Sequence, residues 1–237
     1  MKKNEENSSM KVAIIPARGG SKRIPKKNIK DFLGKPIIAY SIETALNSGL
    51  FDEVFVSTDD HEIATIAKKY GAKVPVLRSE KNSDDFATTS DLLLEVLEYY
   101  QTQNITVDSF CCIYATSPLI QIVDLKAAND LFDTDNFDTV MSAVAFSFPP
   151  QRSFQLLENN QIELNFPNEI GKRSQDLKSF YHDAGMFYFC KTNSFLASKN
   201  IWYGKIGAFC LDEMKVQDID TETDWKLAEL KYQLAKN

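Results

Sequence analysis

The sequence predicts an α/β fold built on a doubly wound, largely parallel sheet, and three observations carry that expectation. Strand-like apolar runs alternate with helical patterns from Lys11 to Phe146. The first run, Val12-Ala13-Ile14-Ile15, is continuously apolar, as a strand covered on both faces must be. A length of 237 residues, with 43% hydrophobic and 25% charged side chains, suits one domain with a generous core.

Pro16 ends the first strand, and a basic, glycine-containing loop follows. Pro36 marks a helix start, with Ile38, Ile42, Ala45 and Leu46 on one apolar face and Gly49 closing it. Val54, Phe55 and Val56 form the second strand, ending in Ser57-Thr58-Asp59-Asp60. The next helix turns Ile63, Ile66 and Ala67 inward and stops at Gly71. Val74 to Leu77 reads as a short strand leading to Arg78, and Ser79 to Asp85 as a polar loop. Leu92, Leu93, Val96, Leu97 and Tyr100 define a helix. Phe110 to Tyr114 is another buried strand, ending in Ala115-Thr116-Ser117-Pro118. A helix over about 122–132 and a strand from Thr139 to Phe146 complete the repeated βα units of a doubly wound sheet.

The rhythm breaks between Phe148 and Tyr181. Phe154 to Leu157 and Ile162 to Phe166 flank Glu158-Asn159-Asn160-Gln161 as a hairpin, and Asn168 to Ser179 has no period. An insertion of this kind on an α/β core serves as a substrate lid or an oligomer contact. Met186 to Cys190 and Ile206 to Leu211 return to strands. The last helix starts at Thr221, with Asp224 completing a capping box and Leu227, Leu230 and Leu234 expected in the core. Residues 1–9 are expected to be a disordered tail, leaving one domain over residues 10–237.

Composition excludes several classes. A net charge of −6 argues against a general nucleic-acid binder. The N-terminus lacks the apolar stretch of a secretory signal, and no run approaches the roughly 20 apolar residues of a membrane span. With no C-x-x-C and two histidines, a zinc site is not expected. The four cysteines read as buried, reduced thiols of a cytoplasmic protein.

Positive charge is concentrated instead. Arg18, Gly19, Gly20, Ser21, Lys22, Arg23, Lys26 and Lys27 follow the first strand, and Asp31 is the only acid between Arg18 and Lys35. A solvated basic loop is one reading. Cations and open backbone N–H groups at the end of a parallel strand make a polyphosphate grip the stronger one. Neither the P-loop spacing nor G-x-G-x-x-G is present, so this is a different nucleotide-binding solution. In Asp218-Ile219-Asp220 an extended backbone points both carboxylates to one face, where they could share a hard cation such as Mg²⁺. Alone, the same pattern fits a strand end whose Asp220 helps cap the following helix. Arg78 sits at a strand end, where α/β ligands bind, although a surface arginine also fits there. His61 opens a helix, no G-x-S-x-G elbow exists, and His182 reads equally as structural or functional.

Together these segments resemble the CMP-sialic acid synthetase family of CMP-sugar synthetases. The family pattern A-R-x-x-S-K-x-[IL]-x-x-K-N is met by Ala17, Arg18, Ser21, Lys22, Ile24, Lys27 and Asn28. Ser57-Thr58-Asp59, Leu77-Arg78, Ser83-Asp84, Thr116-Ser117-Pro118-Leu119 and Asp218-Ile219-Asp220-Thr221 match in the expected order over nearly the whole chain. Tyr114 stands where sialic acid enzymes carry Gln, and His182-Asp183-Ala184-Gly185-Met186 replaces their R-P-N-G-A. Phe148-Pro149-Pro150-Gln151-Arg152, Arg173-Ser174-Gln175-Asp176-Leu177 and Tyr181-His182-Asp183-Ala184-Gly185 are similar to the pseudaminic acid branch of bacterial surface-glycan pathways.

The resemblance implies a three-layer α/β/α, nucleotide-diphospho-sugar transferase-like fold with a mostly parallel, mixed sheet. It implies CMP transfer from CTP to the anomeric hydroxyl of a nonulosonic acid, with pyrophosphate released. Pseudaminic acid is the expected acceptor; legionaminic acid, N-acetylneuraminic acid and the eight-carbon sugar acid Kdo are alternatives. A nucleotide-sensing protein without catalysis is a remote one. By the same resemblance Arg18, Lys22 and Lys27 clamp the triphosphate beside Ser21, with Lys27 nearest the reacting phosphorus. Asn28 and Arg78 contact the nucleoside, and Thr88 or Thr89 the ribose. Tyr114, Arg173, Gln175, Tyr181 and His182 contact the sugar, Arg173 facing its carboxylate. Asp218 and Asp220 hold Mg²⁺. The expected assembly is a homodimer in which residues 148–182 reach the neighbouring active site.

Overall fold

The computed structural model describes residues 10–83 and 87–236. The expected tail, and Asp84 and Asp85 of the polar loop, lie outside the described residues. Strand β1 (Met10–Pro16) leads into the basic loop, whose far side carries the two-residue strands β2 (Asp31–Phe32) and β3 (Lys35–Pro36). Helix α1 (Ile37–Ser48), β4 (Glu53–Ser57), α2 (His61–Lys69), α3 (Thr89–Thr102), β5 (Val107–Ile113), α4 (Ile122–Thr134) and β6 (Thr139–Ala145) follow. The insertion folds β7 (Phe154–Leu156) against β8 (Ile162–Leu164) as the expected hairpin. The chain then returns through β9 (Tyr181–Lys191), α5 (Thr192–Ser198), β10 (Ile206–Leu211) and α6 (Glu222–Leu234).

The central sheet has six strands in the order β10-β6-β9-β5-β1-β4. Strand β1 runs parallel to β4 and β5, and β10 parallel to β6, while β9 runs antiparallel between β5 and β6. The alternation of side chains explains the apolar first strand. Ala13 and Ile15 join the layer containing Ile38 and Ile42 of α1, Ile63 of α2 and Leu125 of α4. Val12 and Ile14 join the opposite layer, with Leu93, Val96 and Tyr100 of α3 and Phe195 of α5. Both faces are therefore covered, which makes three layers. A third apolar cluster, Ile24, Phe32, Ile37, Tyr40, Ile219, Trp225 and Ala228, ties the basic loop to α6.

Three expectations need correction, and one helix is an addition to them. Residues 74–77 are not a strand: only Lys73 bridges to Phe55, after which Pro75, lacking an N–H, leaves the sheet edge and Val76 and Leu77 are exposed. Leu227, Leu230 and Leu234 are not core, being 43%, 55% and 62% exposed. Helix α6 docks through Trp225 and Ala228 onto the small third cluster rather than onto the sheet, and the large indole fills the contact. Cys111, Cys112 and Cys190 are buried, but Cys210 on the edge strand β10 is exposed. Finally, the short helix α5 falls where no helix is expected; seven residues give little periodic signal.

The capping box at α6 forms as read. The Thr221 hydroxyl accepts from the Asp224 N–H at 3.2 Å, and the Asp224 carboxylate accepts from the Thr221 N–H at 2.7 Å. The hydrogen bond from the Thr221 hydroxyl holds the Asp224 carboxyl below the ordinary value of 3.8. A depressed carboxyl stabilises the fold above that ordinary value, and the contribution disappears as pH falls through the lowered one. Thr221→Ala is expected to cost about 1 kcal/mol at neutral pH in urea denaturation, with the difference shrinking in acid; coincident neutral-pH transitions would refute it.

Candidate active site

The C-terminal end of β1 and the residues just after β5 open onto a cavity of about 590 Å³. Its wall of cations comes from Arg18, Lys22, Arg23 and Lys27 of the basic loop and from Arg78; Ser21, Asn28, Thr89 and Tyr114 add polar groups. The loop is shaped by its own backbone. Ala17 N–H donates to the Ser57 carbonyl at 2.9 Å, Gly19 N–H to the Asp59 carboxylate at 2.9 Å, and the Asn28 amide to the Arg18 carbonyl at 2.9 Å. A Cβ on Gly19 would stand 2.8 Å from an Asp60 carboxylate oxygen, so only glycine lets the loop approach so closely. Ile24, fully buried, is the apolar pin beneath the charges.

The structure divides the basic run by role. Lys26, Lys30 and Lys35 pair with Glu62, Glu222 and Glu43, away from the cavity lining. Arg78 is 9% exposed and donates from Nε to the Ser57 hydroxyl at 3.0 Å and from its other end to the Ser57 carbonyl. Burial pushes its pKa down, opposed by Asp59 and Glu95. A guanidinium remains charged under such pressure, so a fixed positive charge sits in the cavity floor.

Lys27 reaches across to the acidic pair. Its ammonium donates to the Ile219 carbonyl at 2.6 Å and lies 3.4 Å from Asp220 Oδ1, which also meets Arg23 at 3.0 Å. Asp220 is not the cap of α6; Thr221 is. Asp218 is pushed above the ordinary carboxyl range, first by loss of hydration and then by the Asp220 charge, with Lys27 opposing. Among the described residues no set of three His, Cys, Asp or Glu forms a metal cage. Asp218 and Asp220 are the carboxylates that could hold a hard divalent cation such as Mg²⁺.

Asp218 lines a second cavity of about 310 Å³, shared with His182, Asp183, Glu213 and Ser147. Asp220 lines neither cavity, but its ion-pair partners Lys27 and Arg23 line the first. Of the expected sugar contacts, Tyr114 lines the first cavity and His182 the second, its ring 4.7 Å from that of Phe146. Arg173, Gln175 and Tyr181 line neither within this chain; Arg173 makes a two-point ion pair with Asp176 on the exposed insertion. Thr88 caps α3, whereas Thr89 turns into the cavity, its hydroxyl 3.4 Å from that of Tyr114. Leu92 lines the same space, although its periodicity marks it only as a core position. Ser57, which receives Arg78, was visible only as part of a matched segment.

Residues 12–216 match the cytidylyltransferase family. The chain belongs to that family. A pseudaminic acid cytidylyltransferase of Campylobacter jejuni is 47% identical over 223 residues, covering 94% of this chain and 96% of that protein. A longer Helicobacter pylori protein, named pseudaminic acid cytidylyltransferase and UDP-2,4-diacetamido-2,4,6-trideoxy-beta-L-altropyranose hydrolase, is 41% identical over 88% of this chain and 40% of its own length. Among solved structures, a CMP:2-keto-3-deoxy-manno-octonic acid synthetase complexed with CTP superposes with a TM-score of 0.69 at 19% identity, covering 96% of this chain and 99% of that one. At that identity the likeness speaks for the fold, a nucleotidyltransferase-like α/β architecture. This cytidylyltransferase accordingly presents its cations at the strand ends, where the fold binds ligands.

Proposed function

We propose that this cytidylyltransferase transfers CMP from CTP to the anomeric hydroxyl of pseudaminic acid, releasing pyrophosphate. The observation that carries the choice of sugar is the 47% identity to the Campylobacter jejuni enzyme over 94% of the chain. The larger cavity takes the nucleotide and the smaller one, beyond Asp218, the acceptor.

Arg18, Lys22 and Lys27 hold the triphosphate beside Ser21, and Asn28 and Arg78 face the nucleoside, with Thr89 at the ribose. As the hydroxyl attacks the α-phosphorus, negative charge grows on the departing pyrophosphate, and cations fixed in advance need no rearrangement to meet it. Lys27 is fixed in this sense by Ile219 and Asp220. Asp218 and Asp220 would hold Mg²⁺, which when bound supplies Lewis-acid polarisation of phosphate oxygens and a more acidic hydroxyl. Burial pushes the Tyr114 phenol up, so it remains a protonated hydrogen-bonding group at neutral pH.

The insertion supports a homodimer. Phe148, Leu156 and Ile162 are 86%, 68% and 53% exposed, an apolar surface of the kind that marks association. Arg173 and Gln175 lie on the same segment, where they would serve a second copy's acceptor cavity. Sedimentation at micromolar concentration under reducing conditions is expected to give twice the chain mass; a monomer would overturn the assembly.

The test of the activity is to mix the protein with CTP and Mg²⁺, offer pseudaminic, legionaminic and N-acetylneuraminic acids and Kdo separately, and follow pyrophosphate. Release with pseudaminic acid is expected, and Lys27→Ala should lower its rate by about 10²–10³-fold. Release with another acid alone overturns the sugar. CTP binding with no release from any acceptor leaves the nucleotide-sensing reading instead.

A further inference from the structure

The larger cavity has two kinds of wall. The basic loop supplies most of its cations, while the crossover from β4 to α3 supplies Arg78, Asn82, Ala87, Thr89 and Leu92. That second wall carries one cation, one amide, one hydroxyl and two apolar side chains. Such a mixture suits a flat, uncharged ring better than a phosphate.

Asn82 is held from outside the cavity. Glu95 lies on α3 one turn beyond Leu92 and does not line the space. Its carboxylate accepts from the Ser79 N–H at 2.7 Å, from the Ser79 hydroxyl at 3.0 Å and from the Asn82 side-chain amide. The Asn82 N–H donates to the Ser79 carbonyl at 3.1 Å, closing the turn that follows Arg78. Arg78 is tied in its own right, by its N–H to the Thr58 carbonyl at 2.8 Å and by its guanidinium to Ser57. The end of β4 therefore fixes Arg78, and α3 fixes Asn82.

These bonds decide which atoms face a ligand. A carboxylate accepts and cannot donate, so Asn82 must turn its NH₂ to Glu95. The amide oxygen is left as an acceptor at the cavity. A guanidinium has five N–H donors, and the bonds to Ser57 do not use them all. One wall thus offers an acceptor and donors four residues apart. Cytosine presents the complement, because its 4-amino group donates while N3 and O2 accept. Uracil carries an oxygen at position 4, which would stand against the Asn82 oxygen.

We infer that Asn82 is a specificity-determining residue for the nucleotide: its side-chain oxygen, aimed by Glu95, accepts from the 4-amino group of cytosine while Arg78 donates to the same edge of the ring. The inference rests on the nucleotide lying in the larger cavity and adds the base-reading acceptor and its positioning residue. The test is to titrate the protein, with Mg²⁺ and no sugar, with CTP, UTP and the triphosphate of the pyrimidin-2-one ribonucleoside, which is CTP without its amino group. Wild type is expected to bind CTP about tenfold tighter than the amino-less triphosphate, the value of one hydrogen bond, and UTP more weakly still. In Asn82→Ala the affinity for CTP should fall to that for the amino-less triphosphate, which itself should not change. No gap in wild type, or a gap that survives in Asn82→Ala, overturns the inference. Glu95→Gln checks the aiming without touching the cavity wall. Its carboxamide can donate, so Asn82 can turn its oxygen away and offer NH₂ to the base. The preference for CTP over UTP should then drop at least about tenfold at an unchanged melting temperature. A merely structural loss would weaken both nucleotides alike, and an unchanged preference overturns the role of Glu95. Lys27→Ala separates the two readings, since it should weaken all three triphosphates. If it does and Asn82→Ala matches wild type, the cavity stands and the inference falls. If neither variant alters binding, the nucleotide lies elsewhere and both fall.

Discussion

Lys27 donates to the Ile219 carbonyl and faces the Asp220 carboxylate, and so joins a loop near the start of the chain to a segment near its end. Arg23 meets the same carboxylate, so two of the cavity's cations converge on that junction. The ion pair itself is partly exposed and contributes little to stability. What holds the junction is the apolar layer beneath it, where Ile24 and Ile219 are 0% and 1% exposed against Phe32 and Trp225. Burial fixes the backbone, and the charges then decide where the ammonium points. The two tasks fall to neighbouring residues in sequence, so neither compromises the other.

Crowding so many cations into one loop would be self-defeating without acids nearby. Asp59 receives Gly19, Asp220 receives Arg23 and Lys27, and Glu62 and Glu222 take Lys26 and Lys30. The loop is therefore pre-shaped with no ligand bound. Cations already oriented suit a reaction whose charge moves toward the leaving group. Arg78 extends this principle to the cavity floor, where serine rather than a carboxylate is its hydrogen-bond partner and its charge is less fully offset.

The legibility of the sequence followed the range of the interactions. Strand β1, the loop after it and the capping box at Thr221 depend on residues close in sequence, and each was readable from them. So were Arg18, Lys22 and Lys27 as cavity cations. The leucines of α6 misled because their spacing marks an apolar stripe but not the surface that covers it; Trp225 took the contact. Residues 74–77 misled because an edge segment needs a partner as well as β-branched side chains. The proposed acceptor half was least readable, since the residues assigned to it are divided between β9 and the insertion. Asp183 illustrates why: in a regular strand it and Tyr188 would point to opposite faces, and only the shift in register between β9 and β6 brings them into a hydrogen bond.

The exposed thiol of Cys210 has a practical meaning. It lies on β10, an outermost strand of the sheet, while the other three cysteines are sealed in the core, their thiols pushed up by burial. Air oxidation would therefore act at one position and link two molecules edge to edge. A covalent pair of that origin has the same mass as a pair assembled through the insertion, and only reductant tells them apart. The same selectivity makes Cys210 a natural attachment point for a maleimide dye, on a strand that does not line the cation-walled cavity and needing no engineered residue.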